Sequence, residues 1–523
     1  MSQTDPVSSP GSRAAPGSRA VSGRQRGSRT ASSVTVQAMV TAAIAGCASF
    51  ALYLALGWVR FSTGASGNYD LGIFAQAARC WAAGELPGSA IRSVDSLFAD
   101  HFSPVTVLFG AGWAVWPDPR SLIVVQALAM GLAVALVTLA AARVLPPAGA
   151  GALAVGVALA KGMVSAASFD VHETALGTPL MAGLCWGLLE RRPRVVAGCA
   201  AGLLLVKEDL GLTVAAAGVV AWWLTRCRRQ VAGLVALGMV GFVVANGVVV
   251  LVSPDHRSPY LQFLLGATGN PQGLAGSVAP GGVRWAPFVL FALTAGVVGL
   301  RSPVALLAVP TLAWRAVSSN TSYWQTYFHY DALLVPIAAF ALLDVLRRTR
   351  SEPWVRSEPW VRSEPVVRSG ARARRALVAV AVVGVGWAAG MGTAKVVSWR
   401  PWEPGRYVSA PQLQDAAALV EGLPRDAPVV VQQDLGPAVL ARVDVRMLTS
   451  TVPADGRWVL LTPAGDRLGA PEDLKRAWLA RQRERPGVTV TARGEVVLVR
   501  LPAGEPVVLS RPGSGPAAGA ATP

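Results

Sequence analysis

In a chain of 523 residues that is 52% hydrophobic, ionisable groups have few places to sit, and here they gather in short motifs. NYDLGIFAQ (68–76) carries Asp70, ADHFSP (99–104) carries Asp100 and His101, and SFDVHETALG (168–177) carries Asp170, His172 and Glu173. LLLVKEDLGLTV (203–214) sets Lys207, Glu208 and Asp209 in the middle of an apolar run. SPDHRSPY (253–260) holds His256, and NTSYWQTYFHYD (320–331) holds His329. Carboxylates beside imidazole and ammonium groups suit three kinds of chemistry: removal of a proton by a general base, neutralisation of an anion, and ligation of a divalent cation.

Each motif also has a plainer reading. Asp70 follows a Gly/Asn/Ser turn and could simply cap the helix that YDLGIFAQAARCWAAG predicts. Asp100 and His101 could form a cap and turn before Phe-Ser-Pro. Asp170, His172 and Glu173 straddle a tight turn and suit a His–carboxylate pair as well as a metal. Lys207, Glu208 and Asp209 could be an ion-pair cluster, and His256 a solvated loop residue. An interfacial aromatic belt accounts for the rings around His329 but not for the histidine itself.

The elements that position these residues are membrane helices. Only 15% of the chain is charged, against roughly 25% in soluble proteins, and mean hydropathy is +0.44. Apolar runs alternate with short Arg clusters, which predicts a polytopic membrane protein. The formal net charge of +17 therefore reflects positive-inside loops and excludes nucleic acid as the partner. The 5 cysteines lie mostly in or beside apolar runs with no CxxC spacing, so neither a disulfide framework nor a zinc site is expected. IAGC (44–47) has the look of a lipoprotein cleavage box, but the apolar run continues past it and reads as an uncleaved first helix.

The run 195–225 decides the topology. As one helix it would be about 46 Å long, against roughly 30 Å of hydrocarbon. ERRPR precedes it and RCRR follows it. A hairpin keeps both basic clusters inside and puts Lys207, Glu208 and Asp209 at its turn on the outer face. The same logic places spans at 34–59, 121–142, 148–165, 174–189, 195–206, 210–225, 231–252, 286–300, 303–317, 332–346 and 376–397. The expected fold class is an α-helical polytopic membrane protein of about eleven transmembrane helices with a small C-terminal extracytoplasmic α/β domain. Residues 1–33 read as a disordered basic cytoplasmic tail, 34–346 as the transmembrane core, and 347–375 as a cytoplasmic linker containing the hexapeptide repeat RSEPWVRSEPWVRSEPVV (350–367). Residues 376–397 form the last span, 398–510 the α/β domain, and 511–523 a disordered tail. In that domain APVVVQ and RWVLLT predict strands, while APQLQDAAALVEGL and EDLKRAWLARQRER predict helices. The N-terminus is expected in the cytoplasm of a plasma-membrane protein, and all 4 histidines then fall on the outer face with the acidic motifs.

In this order, YDLGIF, DHFSP, FDVHE, KED and YFHYD resemble the motif series of the bacterial membrane-protein family DUF2079, over roughly residues 50 to 500. That family is similar to the GT-C clan of integral-membrane glycosyltransferases. The resemblance implies a GT-C-like core and transfer of a sugar from a polyprenyl-phosphate donor, at the outer face of the bilayer, to an acceptor it leaves open. It implies Asp70 as catalytic base, with Asp100 and His101 orienting it or holding a metal. Lys207, His172 and His329 would neutralise the donor phosphate. Asp170, Glu173, Glu208 and Asp209 would support these groups or hold a divalent metal. The third family motif usually reads Phe-Asp-Phe-His, and Val171 stands here at its second aromatic position. A transporter or flippase of a lipid-linked or small polar substrate, and a structural or sensory membrane protein, remain as alternatives from the residues alone. Against the transporter, no inverted repeat is evident, and the polar residues collect on one face instead of crossing the midplane.

Overall fold

A computed structural model describes residues 22–258, 282–318, 321–351, 364–399, 408–448, 451–452, 457–465, 471–502 and 507–508. The remainder of the loop after Ser258, most of the hexapeptide repeat and the last tail lie outside the described residues.

The chain opens with a long helix, α1 (Ser22–Ser62), which starts inside the stretch expected to be a disordered tail. After it come α2 (Ile73–Ala82), α3 (Val107–Val115), α4 (Pro119–Val144), α5 (Pro147–Ala158), α6 (Lys161–Ala167), α7 (Glu173–Leu189), α8 (Pro193–Leu203), α9 (Leu210–Thr225) and α10 (Arg228–Val252). Beyond the undescribed segment lie α11 (Ala286–Thr294), α12 (Val309–Val317), α13 (Leu334–Ser351) and α14 (Glu364–Trp399). The helices begin where the sequence offers caps. Asp118 accepts a hydrogen bond from the Arg120 amide, and Pro119 takes the first helical position, where no amide partner is needed.

Five segments are long and apolar enough to cross a bilayer: Val36–Ser62, Pro119–Val144, Arg228–Val252, His329–Thr349 and Val378–Ser398. The pair α5 and α6, bent by 50°, makes a sixth if it counts as one broken span. The expected count of eleven is therefore not established by length. The 16-residue α9 reaches only about 24 Å, short of the roughly 30 Å of hydrocarbon. Lys207, Glu208 and Asp209 do sit at the junction of two separate helices, α8 and α9, as the flanking Arg clusters require.

α1 and α4 pack closely, and Gly131 permits it: a Cβ there would lie 2.9 Å from the Gly46 carbonyl. Small residues at such a crossing let backbones approach where no hydrophobic drive separates protein from lipid.

The C-terminal part is an α/β domain. Its strands are β1 (Pro428–Val431), β2 (Asp444–Met447), β3 (Thr451–Val452), β4 (Trp458–Leu461), β5 (Thr489–Arg493), β6 (Val496–Arg500) and β7 (Val507–Val508), with α15 (Ala410–Glu421) and α16 (Glu472–Arg483). The main sheet runs β2-β1-β4-β6-β5, with β1 parallel to β2 and β4, and β6 antiparallel to β4 and β5. β3 and β7 pair separately. Alternate residues serve opposite faces. Val430, Val459, Val497 and Val499 pack with Trp478 of α16, whereas Val429, Val431, Leu460 and Leu498 join Ala416 and Val420 of α15. The second group belongs to the same apolar cluster as the membrane helices, so one face of the sheet continues their core.

Candidate functional site at the domain–membrane junction

The ionisable motifs meet at the end of the helices on which the α/β domain sits. Asp70 lies inside a π-type turn, Asn68–Gly72, that leads into α2. Neither the turn nor α2 has a side-chain cap bond, so the helix-cap reading of Asp70 does not hold. His172 precedes α7, and Glu173 opens it. Lys207 and Glu208 come from the α8–α9 junction, and His329 from a short turn before α13.

Asp70 Oδ1 lies 3.4 Å from His172 Nε2, and His172 Nδ1 lies 3.6 Å from Glu173 Oε2. These are charge-pairing distances; Nε2 has no hydrogen-bond partner of proper geometry. Lys207 Nζ donates to Glu173 Oε1 at 3.3 Å. His329 stacks on His172, ring centroids 3.4 Å apart and planes 18° apart, and Phe169 stacks on the same imidazole at 5.7 Å. The His172 amide donates to Gln126 Oε1 at 2.9 Å, which fixes the turn. His172, Glu173, Lys207 and His329 are buried, while Asp70 is partly open. Burial opposes charge on His172, but the carboxylates of Asp70 and Glu173 prevail and raise its pKa to about 9. For Lys207 too, burial lowers the pKa and Glu173, Glu208 and Asp209 more than offset it.

A second pair adjoins the first. His101 Nδ1 and Glu208 Oε1 are 2.9 Å apart, and the Phe102 amide donates to Glu208 Oε2 at 3.2 Å. The DHF and KED motifs therefore tie the first large loop to the α8–α9 junction.

The other expected site residues are engaged elsewhere. Asp170 is held by the Arg60 guanidinium at 2.9 Å and accepts from the Gly67 amide at 3.2 Å, so it anchors α1 and the Asp70 loop. Asp100 pairs with Arg92 at 3.0 Å, and Arg92 also donates to the Tyr69 hydroxyl. It therefore does not pair directly with Asp70. Asp209 accepts from Trp314 Nε1 at 2.9 Å. His256 is exposed, as a solvated loop residue should be.

Sequence reasoning passed over several partners. Arg60 closes α1, and Arg315 in α12 is buried against Asp331 at 2.6 Å. Lys395 of α14 donates to the Tyr327 carbonyl and lies 3.5 Å above the Tyr327 ring. A basic residue inside an apolar run costs free energy, and that cost was the available signal for Arg315 and Lys395.

His172, Glu173 and His329 can bring one ligand atom each within 4.8 Å of one another. The stacked rings argue against a shared ion in this arrangement. A metal–imidazole bond lies in the ring plane at about 2 Å, and the in-plane lone pairs of two nearly parallel stacked rings do not converge. Glu173 is moreover already paired with Lys207.

A family model described as "Predicted membrane protein (DUF2079)" matches residues 64–493. The chain belongs to this family. The DUF2079 match thus spans Asp70, His172, Glu173, Lys207 and His329 and the α/β domain except its last two strands, β6 and β7. Among solved structures, the chain is similar to ArnT from Cupriavidus metallidurans bound to undecaprenyl phosphate, at 15% identity and a TM-score of 0.48, over 89% of this chain and 99% of that one. ArnT from the same organism in the apo state matches at 15% identity and a TM-score of 0.41, over 88% and 98%. A comparison with curated proteins finds no match.

Proposed function

We propose that this DUF2079 chain is a GT-C-type membrane glycosyltransferase that moves a sugar from a polyprenyl-phosphate donor to an acceptor at the outer face of the plasma membrane. The observation that carries the reading is Asp70: a partly open carboxylate on the first large loop, 3.4 Å from a buried imidazole, at the membrane-facing junction. The motif order of the family supports the same role.

In this reading Asp70 accepts the proton of the acceptor hydroxyl. The acceptor oxygen bonds to the anomeric carbon from the face opposite the lipid phosphate. The bond between that carbon and the phosphate oxygen breaks, its electron pair stays on the phosphate, and the configuration inverts. His172 holds the Asp70 carboxylate in place, itself fixed by Glu173 and the stacked His329. Lys207 is already neutralised by Glu173 and supports this network more than it serves the phosphate. Lys161 and Lys395, which approach each other where α14 packs on α6, are the cations assigned to the departing charge. No step is assigned to a metal. The N-terminus is assigned to the cytoplasm and the α/β domain to the outside.

The test is a null strain complemented with wild type or Asp70→Asn, followed by analysis of surface glycans and lipid-linked sugars. A glycan should vanish in the null, its polyprenyl-phosphate sugar should accumulate, and Asp70→Asn should express normally without restoring it. Full restoration by Asp70→Asn removes the base from this reading.

A further inference from the structure

The turn that carries Asp70 is not held by the membrane helices alone. Asn68, fully buried and two residues before Asp70, is gripped by the end of β1. Its amide donates to the Gln433 carbonyl at 2.9 Å, and its side-chain Nδ2 lies 3.3 Å from the Val431 carbonyl and 3.4 Å from that of Gln432. Gly436 forms the floor of the contact. A Cβ there would fall 1.2 Å from Asn68 Oδ1, so any other residue at 436 must push this side chain aside.

The grip is braced from behind. The Gln432 side chain bonds Asp434 and Thr462, and its Oε1 accepts from the fully buried Lys475 at 3.1 Å. On the far side of the turn, Gln76 of α2 donates to Asp444 Oδ1 at 3.1 Å and to the Val445 carbonyl at 2.8 Å, and Arg79 pairs with Asp426. The α/β domain therefore holds the Asp70 turn before and after the carboxylate. A π-type turn is a backbone arrangement that surrounding contacts must maintain.

We propose that the α/β domain is the positioning element of the Asp70 turn, with Asn68 and Gly436 as its key, so that undocking the β1 end from Asn68 releases Asp70 from His172. The catalytic consequence rests on the transferase reading; the mechanical coupling does not.

The experiment is hydrogen exchange on full-length protein in lipid nanodiscs, comparing wild type with Gly436→Ala, Asn68→Ala and the double variant. In wild type, segment 64–72 should exchange slowly. Gly436→Ala should speed exchange there by on the order of tenfold or more, while the amides of α4 stay unchanged. Asn68→Ala should speed it by roughly fivefold. The double variant should match Asn68→Ala instead of the product of the two, because the added methyl then has no side chain to strike. Unchanged exchange at 64–72 in Asn68→Ala and in a folded Gly436→Ala overturns the proposal. Should Gly436→Ala fail to fold, Asn68→Ala still decides, since its cavity leaves the domain intact. Glycan restoration in the null strain is read in parallel. Lost activity in Asn68→Ala at normal expression and melting temperature, rescued by neither added protein nor lower temperature, extends the coupling to catalysis. If Asp70→Asn is fully active while the exchange pattern holds, the transferase base falls and the clamp stands.

Discussion

The titration of His172 offers a direct check on the site. Its imidazole is buried, lies 3.4 Å from Asp70 and 3.6 Å from Glu173, and stacks on His329, while Lys207 stands behind Glu173. The pKa rises from the ordinary 6.5 to about 9. A raised histidine pKa stabilises the fold fully below about pH 6.5, where the unfolded chain is also protonated, and the contribution fades as pH climbs through 9. At 1.36 kcal/mol for each pKa unit, the full contribution is about 3 kcal/mol. In a chain of this size that corresponds to roughly 3 °C of melting temperature. The perturbation is His172→Gln, which keeps a polar group of similar reach and removes the titration. Melting of the purified protein in detergent is followed from pH 6 to 10, and the histidine side chains are titrated by NMR with His172→Gln as the assignment control. Wild type should lose stability relative to the variant as pH rises toward 9, and one imidazole should titrate near 9. Asp70→Asn should bring that value down. Parallel melting curves, or the His172 imidazole titrating near 6.5, refute the carboxylate–histidine network on which the site rests.

Three further outcomes follow from the same contacts. Glu173→Gln removes the buried carboxylate that pairs with both Lys207 and His172 and should cost about 3–5 kcal/mol of stability, with thermal melting as the measurement. On the transferase reading, activity should survive excess EDTA followed by gel filtration, because the stacked imidazoles of His172 and His329 do not converge on an ion; loss of activity restored by a divalent cation would reverse that reading. Asp170→Asn should weaken folding through Arg60 and the Gly67 amide, lowering yield and melting temperature by more than Asp70→Asn does.

Much of this was legible in the sequence wherever a cost had to be met locally. Lys207, Glu208 and Asp209 stand out because charge in an apolar run is expensive, and the Arg clusters on both flanks turn that expense into a break between two helices. Strands β1 and β4 follow from the short apolar runs APVVVQ and RWVLLT, and the domain's helices from their spacing, while the β5–β6 hairpin VTVTARGEVVLVR (488–500) carries an equally clear strand pattern around a Gly turn. Span length was less legible: the apolar runs around α8, α9, α11 and α12 are too short to be counted as crossings by length, and only their neighbours decide how they sit. The division of labour among the carboxylates was not legible at all. Asp70, Asp100, Asp170 and Asp209 occupy similar turns, yet Asp100 is paired with Arg92 and Asp170 with Arg60, while Asp209 accepts from the Trp314 indole, partners that tertiary packing supplies.

That sorting carries its own argument about function. A membrane protein that brings four acidic turns to one junction must satisfy each of them, since an unpaired buried carboxylate would be costly. Two are paired with a guanidinium, and the third accepts from an indole N–H. Asp70, about as open as Asp100, is the one of the four that faces an imidazole, in a turn gripped from two directions by a separate domain. Facing this carboxylate with an imidazole, and holding it still through contacts more than 360 residues away in the chain, suits the role proposed for Asp70.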